Sequence, residues 1–365
     1  MTFLLIAALL AQAPAAPRVS FSGYVQPQYE LRTSDGDTTD RTLFRRMFFT
    51  LDARPFEDWR GQFQVDAGRL VSFGERPVIK NAYIQYTGWE DRGLTLTVGN
   101  QKPPFSRTLY GSSSRRALVE RSFTGDRAYG SPGRALLVKL EGSQRADRVY
   151  WAVAGGTSRQ VPNADEVRID GPAESGAEGT NEGPIVSGRV EFHPLGETSR
   201  DQADFRRSGL RVVVGGAVYG WWNDDDQPPH GEGVVDLSRV DGQEIGVGLR
   251  GGGAWADVAY NHIDARAVDD RVSSGLYRNG EALLHQASVE GGYLLWRDHL
   301  EAVGMFDRMH TDAFDDDWER LSAGVNWYMR RHELKVSVMH RESFDDRGVP
   351  NARSRTTYLQ MQFVF

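Results

Sequence analysis

Basic side chains are concentrated in one segment of the chain. Residues 101–132 read QKPPFSRTLYGSSSRRALVERSFTGDRAYGSP and hold six basic against two acidic residues, whereas the whole chain has 43 basic and 50 acidic residues. Arginine can donate two parallel hydrogen bonds to a phosphate or carboxylate, and lysine supplies a compact positive charge. The segment therefore predicts a site that attracts anions.

Patterns for catalysis or metal binding are not found in the sequence. There is no cysteine, no Gly-x-Ser-x-Gly, and the eight histidines form no His-Glu-x-x-His. Gly246, Gly248 and Gly251 match Gly-x-Gly-x-x-Gly, but they lie in a predicted strand that runs into a tight turn, and dinucleotide binding needs a helix there. The sequence predicts neither an enzyme nor a cofactor nor a metal site.

Acidic clusters leave one alternative open. Asp224–Asp226, Asp315–Asp317 and Asp345–Asp346 fall in predicted loops and could bind Ca²⁺, or bridge to lipopolysaccharide through divalent ions. None has the spacing of an EF-hand, and solvated loop charge is the simpler interpretation.

Composition narrows the class of protein further. No run of apolar residues reaches the roughly 18 needed for a membrane-spanning helix. The formal net charge is −7 and no tract rich in lysine and arginine occurs, which argues against nucleic acid as a partner. Residues 1–16 resemble a secretory signal peptide, with cleavage after Ala13 or Ala16. The alternative is an ordinary apolar N-terminus.

The elements that must position the basic segment are strands. Apolar and polar residues alternate along many segments, which is the period of a β-strand. The sequence predicts sixteen strands, at 19–31, 44–54, 59–68, 79–88, 93–100, 133–142, 147–157, 185–193, 208–222, 241–250, 253–263, 284–296, 299–309, 319–329, 333–342 and 356–365.

The predicted connections alternate in length. Those after odd-numbered strands are long, beginning with 32–43, and those after even-numbered strands are short, with 194–207 as the exception. Long external loops and short periplasmic turns are typical of transmembrane barrels. We therefore expect an all-β, antiparallel transmembrane barrel over residues 17–365. The last strand, with Phe365 at its end, should pair with the first, and a long third loop should fold toward the lumen.

The parity of strand residues selects further candidates. In LFRRMFFTLDA, Arg46 has inward parity, as does Phe48, whereas Arg45 shares the parity of Met47 and Phe49 and is expected to lie at a membrane interface or to snorkel. Arg134 opens the sixth strand, and Lys80 opens the fourth. For any single arginine the alternative is a solvated charge at the rim. The residues predicted to line the pore and bind anions are Arg46, Lys102, Arg107, Arg115, Arg116, Arg121, Arg127 and Arg134.

Two segments resemble the phosphate-selective porin O and P family. One is RTLFRRMFFTLDARPFEDWRGQFQVDAG. The other runs from NAYIQYTG through VGNQKPPFS to ERSF, and together they span about residues 40–130. The resemblance implies a homotrimer of sixteen-stranded barrels in the bacterial outer membrane, in contact with lipid and lipopolysaccharide. It also implies selection of small anions such as phosphate by lumen arginines and by the third loop. This chain has Lys102 but no lysine cluster in that loop, so anion preference is the safer expectation.

Three functions are compatible with these sequence features. The leading one is a diffusion channel for small hydrophilic solutes that prefers anions and could be selective for phosphate. A second is a structural or surface-binding barrel plugged by its third loop. The third is a barrel enzyme, which no constellation of residues supports.

Overall fold

The computed structural model describes residues 18–34, 36–144, 148–161, 163–171, 182–207, 209–223 and 234–365. The predicted signal peptide and the acidic cluster Asp224–Asp226 lie outside these residues.

Sixteen antiparallel strands form a closed barrel in which each strand pairs with its neighbours in sequence and β1 pairs with β16. This confirms the predicted fold class and strand number. The strands are β1 (Arg18–Ser34), β2 (Asp37–Phe56), β3 (Trp59–Asp66), β4 (Val78–Tyr86), β5 (Leu94–Gln101), β6 (Ala135–Gln144), β7 (Val149–Arg159), β8 (Glu182–Phe192), β9 (Arg211–Trp222), β10 (Leu237–Gly251), β11 (Ala254–Ala267), β12 (Glu281–Trp296), β13 (Leu300–Thr311), β14 (Trp318–Arg330), β15 (Leu334–Phe344) and β16 (Arg353–Val364).

Burial along the strands is inverted relative to a water-soluble protein. In β8, Val186 and Val190 are each 56% exposed, while Arg189 and Glu191 are buried. Successive side chains of a strand point to opposite faces, so the apolar set faces outward and the polar set faces the lumen. Exposed aromatic side chains cluster toward the short-turn end, among them Phe21, Phe56, Trp59, Trp89, Trp296 and Trp327. An outer apolar band with aromatic girdles is what lipid contact requires.

The barrel closes at the two ends of the chain. The N–H groups of Gly23 and Phe365 each donate to the carbonyl of the other residue, at 2.9 and 3.0 Å. On the outer face, the ring of Phe365 lies 6.1 Å from that of Phe21 and 6.3 Å from that of Phe49. Hydrocarbon can satisfy no backbone group, so an unpaired edge here would be costly. The terminal apolar strand is therefore the closing seam.

The connections follow the predicted alternation with one correction. The first was predicted to be a long loop at 32–43, but β1 and β2 continue to Ser34 and Asp37, with Gly36 in a tight turn at φ 89°. The cause is that this hairpin extends beyond the apolar band, where strand pairing continues without apolar residues. The connection between β8 and β9 is long, as the sequence indicated, and covers residues 193–210.

Within the described residues, helical structure is confined to short segments. Helix α1 (Gly68–Phe73) follows β3, inside a connection for which the sequence predicted no element. Helix α2 (Arg107–Tyr110) and 3₁₀ turns at Ser113–Arg115 and Phe123–Gly125 lie between β5 and β6. Further 3₁₀ turns are Glu90–Arg92 and Asp346–Gly348. In the described part of the chain, no helix has the length and apolarity needed to cross a membrane.

A substitution of Gly23 at the closing seam tests how closely packed the barrel is where it closes. A Cβ there would lie 2.3 Å from the Phe48 carbonyl oxygen and 2.7 Å from the Phe365 ring. We expect Gly23→Val to destabilise the barrel by about 1–3 kcal/mol through overpacking. The folded band on unboiled gels should then convert to the unfolded band at a lower temperature than in the wild type.

The matched control is Gly155→Ala, because a Cβ at Gly155 meets only the Ile185 carbonyl, at 3.9 Å. If both variants convert at the wild-type temperature, the close approach at the seam does not limit stability.

Candidate functional site

Residues 102–134, here called the inner loop, lie inside the barrel. The side chains of Phe105, Leu109, Leu118 and Phe123 are buried. Inward-facing side chains from strands around the barrel donate to its backbone carbonyls: Asn261 to Thr124, Gln286 to Tyr129, Asn326 to Ala117, and Gln362 to Ser114, at 2.6–3.0 Å. These contacts extend from β11 to β16. The inner loop starts and ends between β5 and β6, so it crosses the lumen and lies against the opposite part of the barrel wall, here called the far wall.

Carboxylates on that wall hold the loop. The N–H of Arg107 donates to Glu244 at 2.9 Å, and the N–H of Phe123 donates to Asp307 at 2.8 Å. Both carboxylates are buried, and Asp307 also pairs with Arg320. A buried carboxylate is tolerated when it accepts several hydrogen bonds and faces a cation. The wall therefore supplies acceptors that fix the path of the loop.

The long connection 193–210, here called the turn segment, fills part of the lumen from the short-turn end. Its buried Gln202 accepts from the N–H of Ala117 at 2.8 Å and donates to Glu290 at 2.8 Å. The N–H of Gln202 donates to the carbonyl of Arg115 at 3.1 Å. The turn segment thus supports the inner loop from the side of the short turns. The space that remains open between the inner loop and the barrel wall lies beside strands β2–β6.

A narrow cavity between the inner loop and the wall formed by strands β2–β6 is strongly basic. Its volume is about 60 Å³, room for about five water molecules at 10–15 Å³ each. Asp66 is its acidic lining residue. Its basic lining residues are Arg45, Arg46, Lys80, Lys102, Arg121, Arg127 and Arg134. We call these seven side chains the cationic cluster.

Three members of the cationic cluster have a carboxylate partner. Arg45 donates to Glu120 at 2.7 and 2.8 Å, Lys80 lies 3.9 Å from Asp66, and Arg127 pairs with Asp170. The other four form no ion pair with any residue the structure describes.

The unpaired cations are held by neutral groups. Arg46 donates to the side-chain oxygen of Gln26 at 2.9 Å, and Arg134 donates to that of Asn81 at 3.0 Å. Lys102 donates to the carbonyls of Leu109 and Gly111 at 2.6 and 2.9 Å. The buried Nε of Arg121 has no hydrogen-bond partner within the described residues. The cluster therefore has positive charge and donor capacity available for an anion.

Burial and mutual repulsion together lower the pKa values of three basic residues of the inner loop. Burial, and then the charges of Arg134, Arg121 and Arg127, lower the pKa of Lys102 well below its ordinary value. Burial and the neighbouring arginines also lower the pKa of Arg121. The pKa of Arg134 falls to about 10, again through burial first and then Arg127. An anion in this cavity would relieve the repulsion and favour the charged forms.

Two β-bulges direct extra cations inward. The register shifts where Arg45 lies opposite Gln26 and Pro27, and again where Lys80 lies opposite Gln64 and Val65. The expectation that Arg45 lies at a membrane interface is therefore wrong. Pro27 has no N–H to donate to the ladder, which favours a bulge, and a bulge re-aims one side chain.

Five of the eight sequence candidates line this cavity, namely Arg46, Lys102, Arg121, Arg127 and Arg134. The other three do not. Arg107 is captured by Glu191 at 3.1 Å, Arg116 lies 3.9 Å from Glu290, and Arg115 is exposed.

The predicted set of pore-lining residues did not include Arg45 or Lys80, although the sequence placed Lys80 at the start of the fourth strand. A signal for the second bulge was present, because Ile79 and Ile84 are both outward-facing yet five residues apart. Among the residues described here, no group of three or more histidine, aspartate or glutamate side chains could hold a metal ion.

The closed barrel with its outward apolar face, together with the family match and the solved porin structures given below, makes this chain a porin of the bacterial outer membrane. The model of the family described as phosphate-selective porin O and P matches residues 21–176, which confirms the resemblance seen in the sequence. Family and fold indicate a channel rather than an enzyme. Comparison with curated protein sequences gave no match.

Solved porin structures share the fold at low sequence identity. The anion-selective porin from Comamonas acidovorans has a TM-score of 0.63 at 12% identity, covering 96% of this chain and 100% of its own. The outer membrane channel DcaP of Acinetobacter baumannii has a TM-score of 0.60 at 13% identity, covering 97% and 99%. The trimer form of OmpT from Vibrio cholerae has a TM-score of 0.56 at 12% identity, covering 96% and 100%.

A substitution of Gln202 tests whether the turn segment holds the inner loop in place. In Gln202→Ala, the N–H of Ala117 and an oxygen of Glu290 lose their partners, which costs about 1–3 kcal/mol for a buried group. We expect amide exchange at Ala117 to accelerate by roughly tenfold or more, measured by hydrogen–deuterium exchange in detergent.

Gln64→Ala serves as the control, because Gln64 donates to Thr50 at 2.8 Å and has no hydrogen bond to the inner loop. Unchanged exchange at Ala117 in Gln202→Ala would show that the turn segment does not support the loop.

Proposed function

We propose that this porin is a diffusion channel that prefers anions, and that the cationic cluster sets the preference. The observation that carries the proposal is the lining of the narrow cavity: seven basic residues against one acidic residue, with four of the basic residues forming no ion pair within the described part of the chain. A low-dielectric wall focuses such a field and raises the local concentration of anions. Rings of arginine and lysine have this effect in anion and phosphate pores.

Phosphate is a candidate solute within this class. Arg121, Arg134 and Lys102 offer donors of the kind that phosphate oxygens accept, and the matching family model is described as phosphate-selective. The anion-selective porin from Comamonas acidovorans has the same fold and supports the general preference. In this proposal the channel performs no chemistry on its solutes. Permeation also requires that its binding sites be weak enough to release the solute.

Assembly and location complete the proposal. The chain is exported by the signal peptide at residues 1–16 and assembles as a homotrimer in contact with lipid and lipopolysaccharide. The trimer form of OmpT, which shares the fold, supports this arrangement.

The extent to which the inner loop and the turn segment fill the lumen favours a second candidate, a non-conducting barrel that binds partners through its external loops. Single-channel current separates the two. A purified barrel that inserts into a planar bilayer without conducting would support the second candidate.

The reversal potential in a KCl gradient tests the role of the cationic cluster. The wild type should favour chloride. Arg121→Gln removes one unpaired charge from the cavity and should lower the chloride-to-potassium permeability ratio by roughly fivefold, for an interaction of about 1 kcal/mol.

The control is Arg271→Gln, because Arg271 is exposed, lies in an external loop and pairs with Asp269. A potassium-selective wild type, or equal ratios in the wild type and both variants, would contradict the proposal.

The lowered pKa of Lys102 predicts a pH dependence of the same ratio. Lys102 carries its charge at low pH and loses it as the pH rises through its lowered pKa. Preference for chloride should therefore fall with rising pH. The fall should begin at a pH below the ordinary pKa of a lysine side chain, which is about 10.4. The measurement is the reversal potential in KCl from pH 6 to pH 9.

Lys102→Arg should flatten this profile, because arginine keeps its charge over the range. If the wild type and Lys102→Arg lose selectivity in parallel, Lys102 is not the titrating group.

A further inference from the structure

A second cavity, here called the vestibule, adjoins the cationic cavity on the side of the short turns. Its volume is about 360 Å³, and it shares Phe48, Lys102, Ser113 and Arg134 with the narrow cavity. This volume falls within the range of small-molecule pockets. A solute that leaves the cationic cluster toward the periplasm must therefore pass along the vestibule wall.

The vestibule wall is rich in carboxamides. Gln62, Gln64, Asn81, Gln85 and Gln101 line it, contributed by strands β3, β4 and β5. A carboxamide both donates and accepts hydrogen bonds, as a hydroxyl group does.

Apart from Lys102 and Arg134, which also line the narrow cavity, the charged residues of the vestibule neutralise each other. Glu141 pairs with Lys139 at 3.0 Å and accepts from the hydroxyl of Tyr150 at 2.7 Å. Recognition along this wall must therefore rely on neutral hydrogen bonds.

The carboxamides form an ordered array. Asn81 donates to Gln62 at 2.6 Å, Gln62 donates to Asp52 at 2.8 Å, and Gln64 donates to Thr50 at 2.8 Å. Each of these donations uses one hydrogen of the amide group and leaves a second hydrogen. The side chains are half-buried at the cavity wall, so their remaining capacity is directed to its contents.

The array is joined to the cationic cluster. Arg134 donates to the oxygen of Asn81 at 3.0 Å, so the guanidinium and the carboxamides are fixed relative to one another. Aromatic rings lie beside them: Phe48 and Tyr24 have ring centroids 4.8 Å apart, and Tyr83 lines the same cavity. Flat apolar rings suit the C–H faces of a carbohydrate, whose hydroxyls need partners at the rim.

We propose that the cationic cluster and the vestibule together form a binding site for hydroxyl-rich organic anions, of which a sugar phosphate is the simplest. The anionic group binds the cluster while the polyhydroxyl body binds the carboxamides. This inference rests on the proposed anion channel and names its solute class. A bare inorganic anion uses the cluster alone and leaves the carboxamides to water.

Block of the chloride current in a planar bilayer tests the site. The solutes are glucose 6-phosphate, inorganic phosphate, butyl phosphate and glucose. Glucose 6-phosphate should block at a concentration at least about tenfold lower than inorganic phosphate or butyl phosphate, because two or three additional hydrogen bonds form. Glucose alone should not block.

Gln64→Leu removes hydrogen-bonding capacity at similar volume. It should bring block by glucose 6-phosphate to within about threefold of block by inorganic phosphate, as expected for the loss of one net hydrogen bond or more, and leave the phosphate value unchanged. Gln243→Leu, an exposed position on β10, is the control and should behave as the wild type. Both variants should first show the wild-type thermal shift on unboiled gels.

The outcomes separate this inference from the proposed function. If the wild type shows no preference for chloride, the anion channel fails and this inference fails with it. If it prefers chloride but glucose 6-phosphate blocks no better than butyl phosphate, the vestibule proposal alone is overturned. Retention of the full glucose 6-phosphate preference in folded Gln64→Leu would also overturn it.

Discussion

The capture of the inner loop by buried carboxylates determines the rest of the interior. Glu244 and Asp307 accept backbone N–H groups of the loop, and Glu191 takes the guanidinium of Arg107. A loop that carries six basic residues in 101–132 is drawn to a wall that offers these acids. Because the loop lies against β8–β16, the open space remains beside β2–β6, where the wall contributes cations of its own.

The two sides of the lumen therefore use charge in opposite ways. On the far wall, charges are paired and buried, and their role is to hold chain segments in place. In the narrow cavity, four cations lack a carboxylate partner within the described residues, and burial together with their mutual repulsion lowers the pKa of Lys102 and Arg121. Such an arrangement is unfavourable by itself. Hydrogen bonds from Arg46, Arg134 and Lys102 to neutral groups hold these side chains in place.

The strands could be predicted from the sequence, and five of the seven residues of the cationic cluster were among the sequence candidates, whereas Arg45 and Lys80 were not. An alternation of apolar and polar residues with period two is a local property, and lipid and lumen impose it on nearly every strand. It failed at the first hairpin, where both faces are polar. Arg107 and Arg116 lie away from the cavity because Glu191 and Glu290, far away in sequence, attract them. Arg45 and Lys80 depend on bulges, which shift parity by one residue and change which face a side chain joins.

The hydrogen bond from Gln362 to the carbonyl of Ser114 bears on how the barrel is assembled. Gln362 belongs to β16, the last strand, and its neighbour across the seam is β1, more than 300 residues earlier. This pairing closes the longest segment of chain in the molecule and carries the largest entropic cost of loop closure. The closing strand bonds both to β1 and to the inner loop, so the register of the last strand and the position of the loop stabilise each other. The seam is thus supported from inside the lumen as well as along the wall.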